Sequence, residues 1–204
     1  MQIRAPAILV AARQHGETAV VARLLTEGHG LVAGYVAGGR GRHLRPVVIP
    51  GNRVEMQLSA RSETQLPFMK LELVASCGPW LGEPLQAAAI GWVVALTASV
   101  LPERQPYPHL YSALGGLLDA ICSAPTARRW AGAMVGYEML LLREMGYGGE
   151  GAGWAARPNG ELAQVLEAMD ALADPLDNYL LAERRTDVMA ARHRLRQLLG
   201  RIET

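Results

Sequence analysis

The stretch Val36 to Pro46, VAGGRGRHLRP, gathers Arg40, Arg42, His43 and Arg45 among Gly38, Gly39 and Gly41. Guanidinium groups are planar, forked donors that match phosphate oxygens. Glycines let a main chain approach a ligand closely. Together they suit the sugar–phosphate backbone of a nucleic acid, where neutralised phosphates release counterions. The plainer alternative is a solvated connection between two strands. The segment is no P-loop, since it lacks a terminal Gly-Lys-Ser/Thr. Arg4, Arg13, Arg23, Arg53 and Arg61 extend the same charge. Residues 1–79 carry nine basic and five acidic side chains, the remainder eleven and fourteen, and the only lysine is Lys70. A basic front and an acidic back point to different partners. With Arg40, Arg42, Arg45 and Arg53 each on one phosphate, log affinity for single strands should fall with log salt at a slope of about −3. The aromatics of this part are Tyr35 and Phe68 alone. Binding should then rest on charge and read little sequence.

No other set of side chains makes an enzyme. Ser112, His109 and Asp119 have no triad spacing, and no GxSxG elbow exists. Glu17 suits a turn or an arginine partner. Asp119 and Glu138 lie in apolar helical surroundings, where an acid is normally satisfied by hydrogen bonds. Cys77 and Cys122 are far apart, and the five histidines form no ligand pattern, so no metal and no cofactor are expected. Arg128, Arg129 and Arg143 flank the apolar helical run 127–148 and are candidates for the edge of a pocket. The run RHRLRQLLGR, 192–201, is basic and amphipathic, with a solvated face as its default reading.

These residues need positioning elements. Short apolar or alternating runs at 7–13, 18–26, 31–37, 54–60 and 68–74, separated by Gly, Pro and Asn turns, predict five strands. Five short strands in so few residues suit a small β-barrel of the OB type, a common nucleic-acid-binding fold. The punctuation CGPWLGEP, 77–84, marks a boundary, giving 1–79 as an OB-fold domain and 80–204 as a helical domain. Helices are predicted at 84–101, 107–123, 127–145, 161–173 and 186–201, with Asp174-Pro175 ending the fourth. The glycine-rich segment 146–160 reads as a loop. The uncharged run 85–101 falls short of a membrane span and no signal peptide opens the chain, so a cytoplasmic location is expected.

Several stretches, in order, resemble the RecO family of bacterial recombination and repair proteins. AILVAARQHGETAVVARLLTEGHGLVAGYVAGGR, 7–40, resembles the family opening; MKLELV resembles its last barrel strand; YEMLLLREMGYG, 137–148, resembles its core helix ending in Gly-Tyr. Many relatives continue with a four-cysteine zinc module, where this chain reads GGEGAGWAARPNG. The loop is short and arginine-based where relatives carry a longer, lysine-rich one, and their basic tail motif is reduced here to LLGRIET. The resemblance implies an α+β protein, an N-terminal OB-fold followed by helices, that binds single- and double-stranded DNA, anneals complementary strands and has no catalytic site. It implies partnership with RecR, with the acidic, apolar-tipped tail of single-stranded-DNA-binding protein, and indirectly with RecA, on the nucleoid. An RNA-binding OB-fold and a protein-only adaptor are the alternatives.

Overall fold

A computed structural model of the chain describes residues 2–60, 65–148, 161–182 and 188–203. Arg61, most of the glycine-rich loop 146–160 and the start of the fifth expected helix lie outside these residues. The chain divides into two compact units, 1–82 with 101–111, and 83–100 with 112–204.

The first unit holds β1 (Gln2–His15), β2 (Ala19–Thr26), β3 (Gly30–Val36), β4 (Arg53–Ser59) and β5 (Phe68–Ala75). They close into a barrel in the order β1-β2-β3-β5-β4, with β3 and β5 parallel. The alternation read from sequence sets the inside of this barrel. Leu9, Val20, Ala22, Leu24, Val32, Val54, Met56, Leu58 and Met69 point inward into one apolar core. β1 is longer than its apolar run. Its first half pairs with β4 and its second with β2, and a bulge between Leu9 and Ala11 lets one strand serve both neighbours. Gly34 permits the close β3–β5 pairing, because a Cβ there would stand 2.6 Å from the Met69 methyl.

The turn from β2 to β3 is built by Thr26, whose buried hydroxyl donates to the Gly30 carbonyl (3.0 Å) and accepts from the His29 N–H (3.1 Å). Gly30 has φ +66°. A Cβ at Gly30 would collide with the carbonyl of Gln105, in the segment 101–111 that pairs with Leu31 through Glu103. Gly30→Ala combines left-handed backbone with a clash against main chain. It is expected to cost at least about 2 kcal/mol and to lower the melting temperature by at least about 4 °C. A thermal melt within 1 °C of the parent would contradict this packing.

The second unit holds α1 (Pro84–Val100), most of α2 (Pro108–Ser123), α3 (Ala131–Glu144), α4 (Leu162–Pro175) and α5 (Met189–Glu203). α1 packs on α5, and α3 on α4. Pro108 opens α2 as the first helical residue, where its missing N–H is no loss. α4 ends at Pro175, as the sequence led us to expect, but the chain's helical course does not. The backbone continues into a wider π turn over Leu176–Leu181, with Leu176, Leu180 and Leu181 buried. The Leu176 N–H still bonds to the Leu172 and Ala173 carbonyls, so the backbone just after the proline stays hydrogen-bonded. Buried apolar side chains on both sides of the proline outweigh one lost hydrogen bond.

At the centre of this unit Glu138 and Arg192 form a buried ion pair, 0% and 2% exposed. Arg192 Nε and Nη2 donate to the two carboxylate oxygens at 2.9 and 2.8 Å. Trp92 Nε1 adds a bond to Glu138 at 2.7 Å, and Arg192 Nη2 another to the Met169 carbonyl at 2.7 Å. Nearby, Thr97 donates to the Val93 carbonyl, so the Tyr137 hydroxyl donates to Thr97, both at 2.6 Å. Burial pushes the Tyr137 phenol well above its ordinary value. Glu138 is thus the satisfied acid the sequence led us to expect.

Candidate nucleic-acid interface

The arginine loop, 37–52, is a chain of turns fixed at both ends. Gly38 has φ +67° and its carbonyl accepts from the Gly41 N–H at 2.8 Å. The Gly41 carbonyl then accepts from Leu44 (3.1 Å) and Arg45 (2.9 Å), and the Leu44 carbonyl from Val47 and Val48. Leu44, Val47 and Val48 turn inward and join the barrel core. The descending half is held by Asn52, buried at the start of β4. Its amide nitrogen donates to the Pro46 and Val47 carbonyls (2.9 and 3.0 Å), and its oxygen accepts from the Cys77 N–H (2.9 Å). Asn52 read as a turn residue in the sequence. Its clamp, joining the loop to the end of β5, depends on contacts between distant parts of the chain.

This scaffold sorts the arginines. Arg40 is a strut as well as a charge. Its N–H donates to the Thr18 carbonyl (2.9 Å) and its Nη1 to the Glu17 carbonyl (2.8 Å), tying the loop to the β1–β2 turn. With the Gln14 amide turned so that its oxygen faces the guanidinium, Gln14 accepts from Arg40 as well. Arg42, His43 and Arg45 are exposed on the loop's outer side. Among the described residues no carboxylate pairs with Arg42 or Arg45. Arg13 is exposed on the outer face of β1, also with no acid beside it among the described residues. The other basic positions are partly committed. Arg4 lies 3.7 Å from Glu55, and Arg23 3.5 Å from Glu103. Arg53 lies near Tyr111, whose phenol is raised by burial while the charge of Arg53 pulls the other way.

The candidates on the helical unit are not one group. Arg128 and Arg129 form a short turn just before α3, and Arg143 lies in its last turn. At 1.5 Å per residue they stand roughly 20 Å apart. Arg143 is two residues from Met145, which lines a cavity of about 520 Å³ with Tyr147, Tyr179 and Leu180. The rings of Tyr147 and Tyr179 stack at 5.0 Å. Two arginines of the basic run 192–201 are spoken for. Arg192 is in the core, and Arg196 holds both oxygens of Asp170 at 2.8 Å. That guanidinium keeps the Asp170 carboxyl below the usual carboxylate range.

The outer face of β1, β3 and β5 carries aromatic rings that sequence spacing did not bring together. Tyr35 meets His15 edge-on at 5.8 Å and Phe68 edge-on at 5.5 Å. They come from separate strands, and only the barrel register makes them neighbours. Among the described residues no cluster of His, Cys, Asp or Glu is placed to hold a metal ion, and no helix is long and apolar enough to cross a membrane.

Comparison with known proteins agrees with this architecture. The family description "Recombination protein O N terminal" matches residues 1–77, and "Recombination protein O C terminal" matches residues 82–150. The "DNA repair protein RecO" of Rhodospirillum centenum is 43% identical over 163 residues, covering 78% of this chain and 64% of that protein. Its counterpart in Rhodospirillum rubrum is 42% identical, over 69% of this chain and 57% of that protein. That of Dinoroseobacter shibae is 35% identical, over 79% of this chain and 67% of that protein. The first two cover more of this chain than it covers of them, so this chain spans less than two thirds of their length. Two adjoining family matches over a closed β-barrel and the helices that follow it, with relatives of the same name, lead to one conclusion: this chain belongs to the recombination protein O (RecO) family.

Proposed function

We propose that the chain is a non-enzymatic, DNA-binding mediator of recombinational repair. In this reading it anneals complementary single strands and helps load recombinase onto DNA covered by single-stranded-DNA-binding protein, acting with RecR on the nucleoid in the cytoplasm. The observation that carries the reading is the arginine loop. Its backbone is fixed to the barrel core, while Arg42 and Arg45 are left outside with no acid among the described residues to neutralise them. Exposed cations held without a partner favour polyanion binding, because phosphates replace weakly bound counterions. Annealing needs mutual phosphate repulsion to be lowered without capture of the pairing edges of bases, and backbone contacts do this.

Double-stranded DNA is bound through the same phosphate contacts. In this reading the acidic, apolar-tipped tail of single-stranded-DNA-binding protein is received at the cavity lined by Met145, Tyr147 and Tyr179, with Arg143, two residues from Met145, as the candidate cation. A mixing experiment with two complementary, dye-labelled oligonucleotides tests the reading. The protein should speed duplex formation well above the spontaneous rate, and more slowly at high salt. No acceleration on DNA, beside tight binding to RNA of equal length, would turn the reading to an RNA binder. No nucleic-acid binding at all would leave a protein adaptor.

A further inference from the structure

We infer that the outer face of β1, β3 and β5 is a base-stacking platform for single-stranded nucleic acid, with Phe68 as its open ring. The inference rests on the proposed DNA binding and adds bases to what the arginine loop does with phosphates. Phe68 opens β5 and is 56% exposed, so part of its ring is open to solvent. It is not a loose side chain. Tyr35 supports it edge-on, with planes at 81°, and His15 supports Tyr35 in the same way at 88°. Edge-on support leaves the face of the outermost ring available for a flat partner.

The register places a cation in line with the rings. Arg13 lies opposite Val21, Val21 opposite Tyr35, and Tyr35 opposite Phe68. The row therefore crosses β1, β2, β3 and β5, a span of about 14 Å at one strand spacing per step. At its β1 end, the β1–β2 turn bonds to Arg40 and so adjoins the arginine loop. One end of the row is positive and the other aromatic. A single strand has that pairing of features, anionic backbone and flat apolar bases. The strand 2–3 face of OB barrels is a surface on which such ligands bind. Duplex DNA hides its base faces and would use the arginines alone.

The test uses the full chain and its Phe68→Ala and Phe68→Trp variants. The probes are an oligo-dT strand and a strand of equal length that lacks bases throughout. The parent should bind oligo-dT more tightly than the abasic strand. Phe68→Ala should weaken oligo-dT binding between about fivefold and a hundredfold, as loss of one stacked base does, and leave abasic binding unchanged. Phe68→Trp should keep the parent's affinity, and its added indole fluorescence should be quenched by oligo-dT. The exposed ring is not needed for folding, so melting temperatures should coincide. If the parent binds both strands equally, or Phe68→Ala binds oligo-dT as the parent does, the platform is overturned while backbone binding stands. If the parent binds neither strand, the DNA-binding reading falls and the platform with it.

Discussion

Replacing Glu138 by leucine is expected to destabilise the helical unit by about 3–5 kcal/mol, the usual cost of leaving the other half of a buried ion pair uncompensated. Among the described residues Arg192 would keep its charge at 2% exposure beside the Met169 carbonyl and the face of Trp92, with the Asp170 carboxylate farther off. Trp92 would lose the acceptor of its indole N–H. In a thermal melt this corresponds to a drop of roughly 6–20 °C. Arg192→Met alone should fare similarly, because a buried carboxylate is then stranded. The double variant, Glu138→Leu with Arg192→Met, should recover much of the loss, since apolar groups of similar volume replace the pair at little net cost. If both single variants melt within 2 °C of the parent, the pair is not the centre of that unit.

Removing Arg42 and Arg45 together is expected to weaken single-strand binding by roughly 25-fold at 0.1 M salt, the counterion-release contribution of two phosphates at about 0.7 each. Stability should change by less than about 0.5 kcal/mol, because neither side chain is packed or paired among the described residues. Arg40→Ala should behave differently. It removes the bond to the Glu17 carbonyl that ties the loop to the β1–β2 turn, so it should lower the melting temperature measurably while costing less affinity than the pair. Equal binding losses in all three single alanine variants, with no change in any melt, would contradict this division.

The strands and helices were legible because their burial follows short periods in the sequence. Val54, Met56 and Leu58 alternate inward exactly as spacing requires, and the outward partners Glu55 and Gln57 remain polar. Two local signals told half the story. Pro175 ends α4, as read, but buried Leu176, Leu180 and Leu181 carry the backbone on in a wider turn. The plain reading of the arginine loop is a solvated connection, yet Leu44, Val47 and Val48 anchor it in the barrel. Of the proposed site, density of charge points to the loop, but sequence cannot say which arginine is already bonded. Arg40 and Arg23 turn out to have partners within the fold, and Arg53 stands by Tyr111, whereas Arg13 stands clear of acids among the described residues. In the proposed reading Arg13, Arg42 and Arg45 are the arginines counted on phosphates. The aromatic row was out of reach for a different reason. His15, Tyr35 and Phe68 are brought together by strand register, and register is a property of the closed barrel.

The central claim is that exposed arginines on a fixed loop hold the phosphates of a single strand. The most direct test is the affinity of the full chain for one oligo-dT strand, measured across a range of salt, beside the Arg42→Ala, Arg45→Ala double variant. Three phosphates predict a slope of log affinity against log salt of about −2 for the parent, flattening to about −0.7 in the variant. A folded variant with the parent's affinity and the parent's slope would contradict the claim.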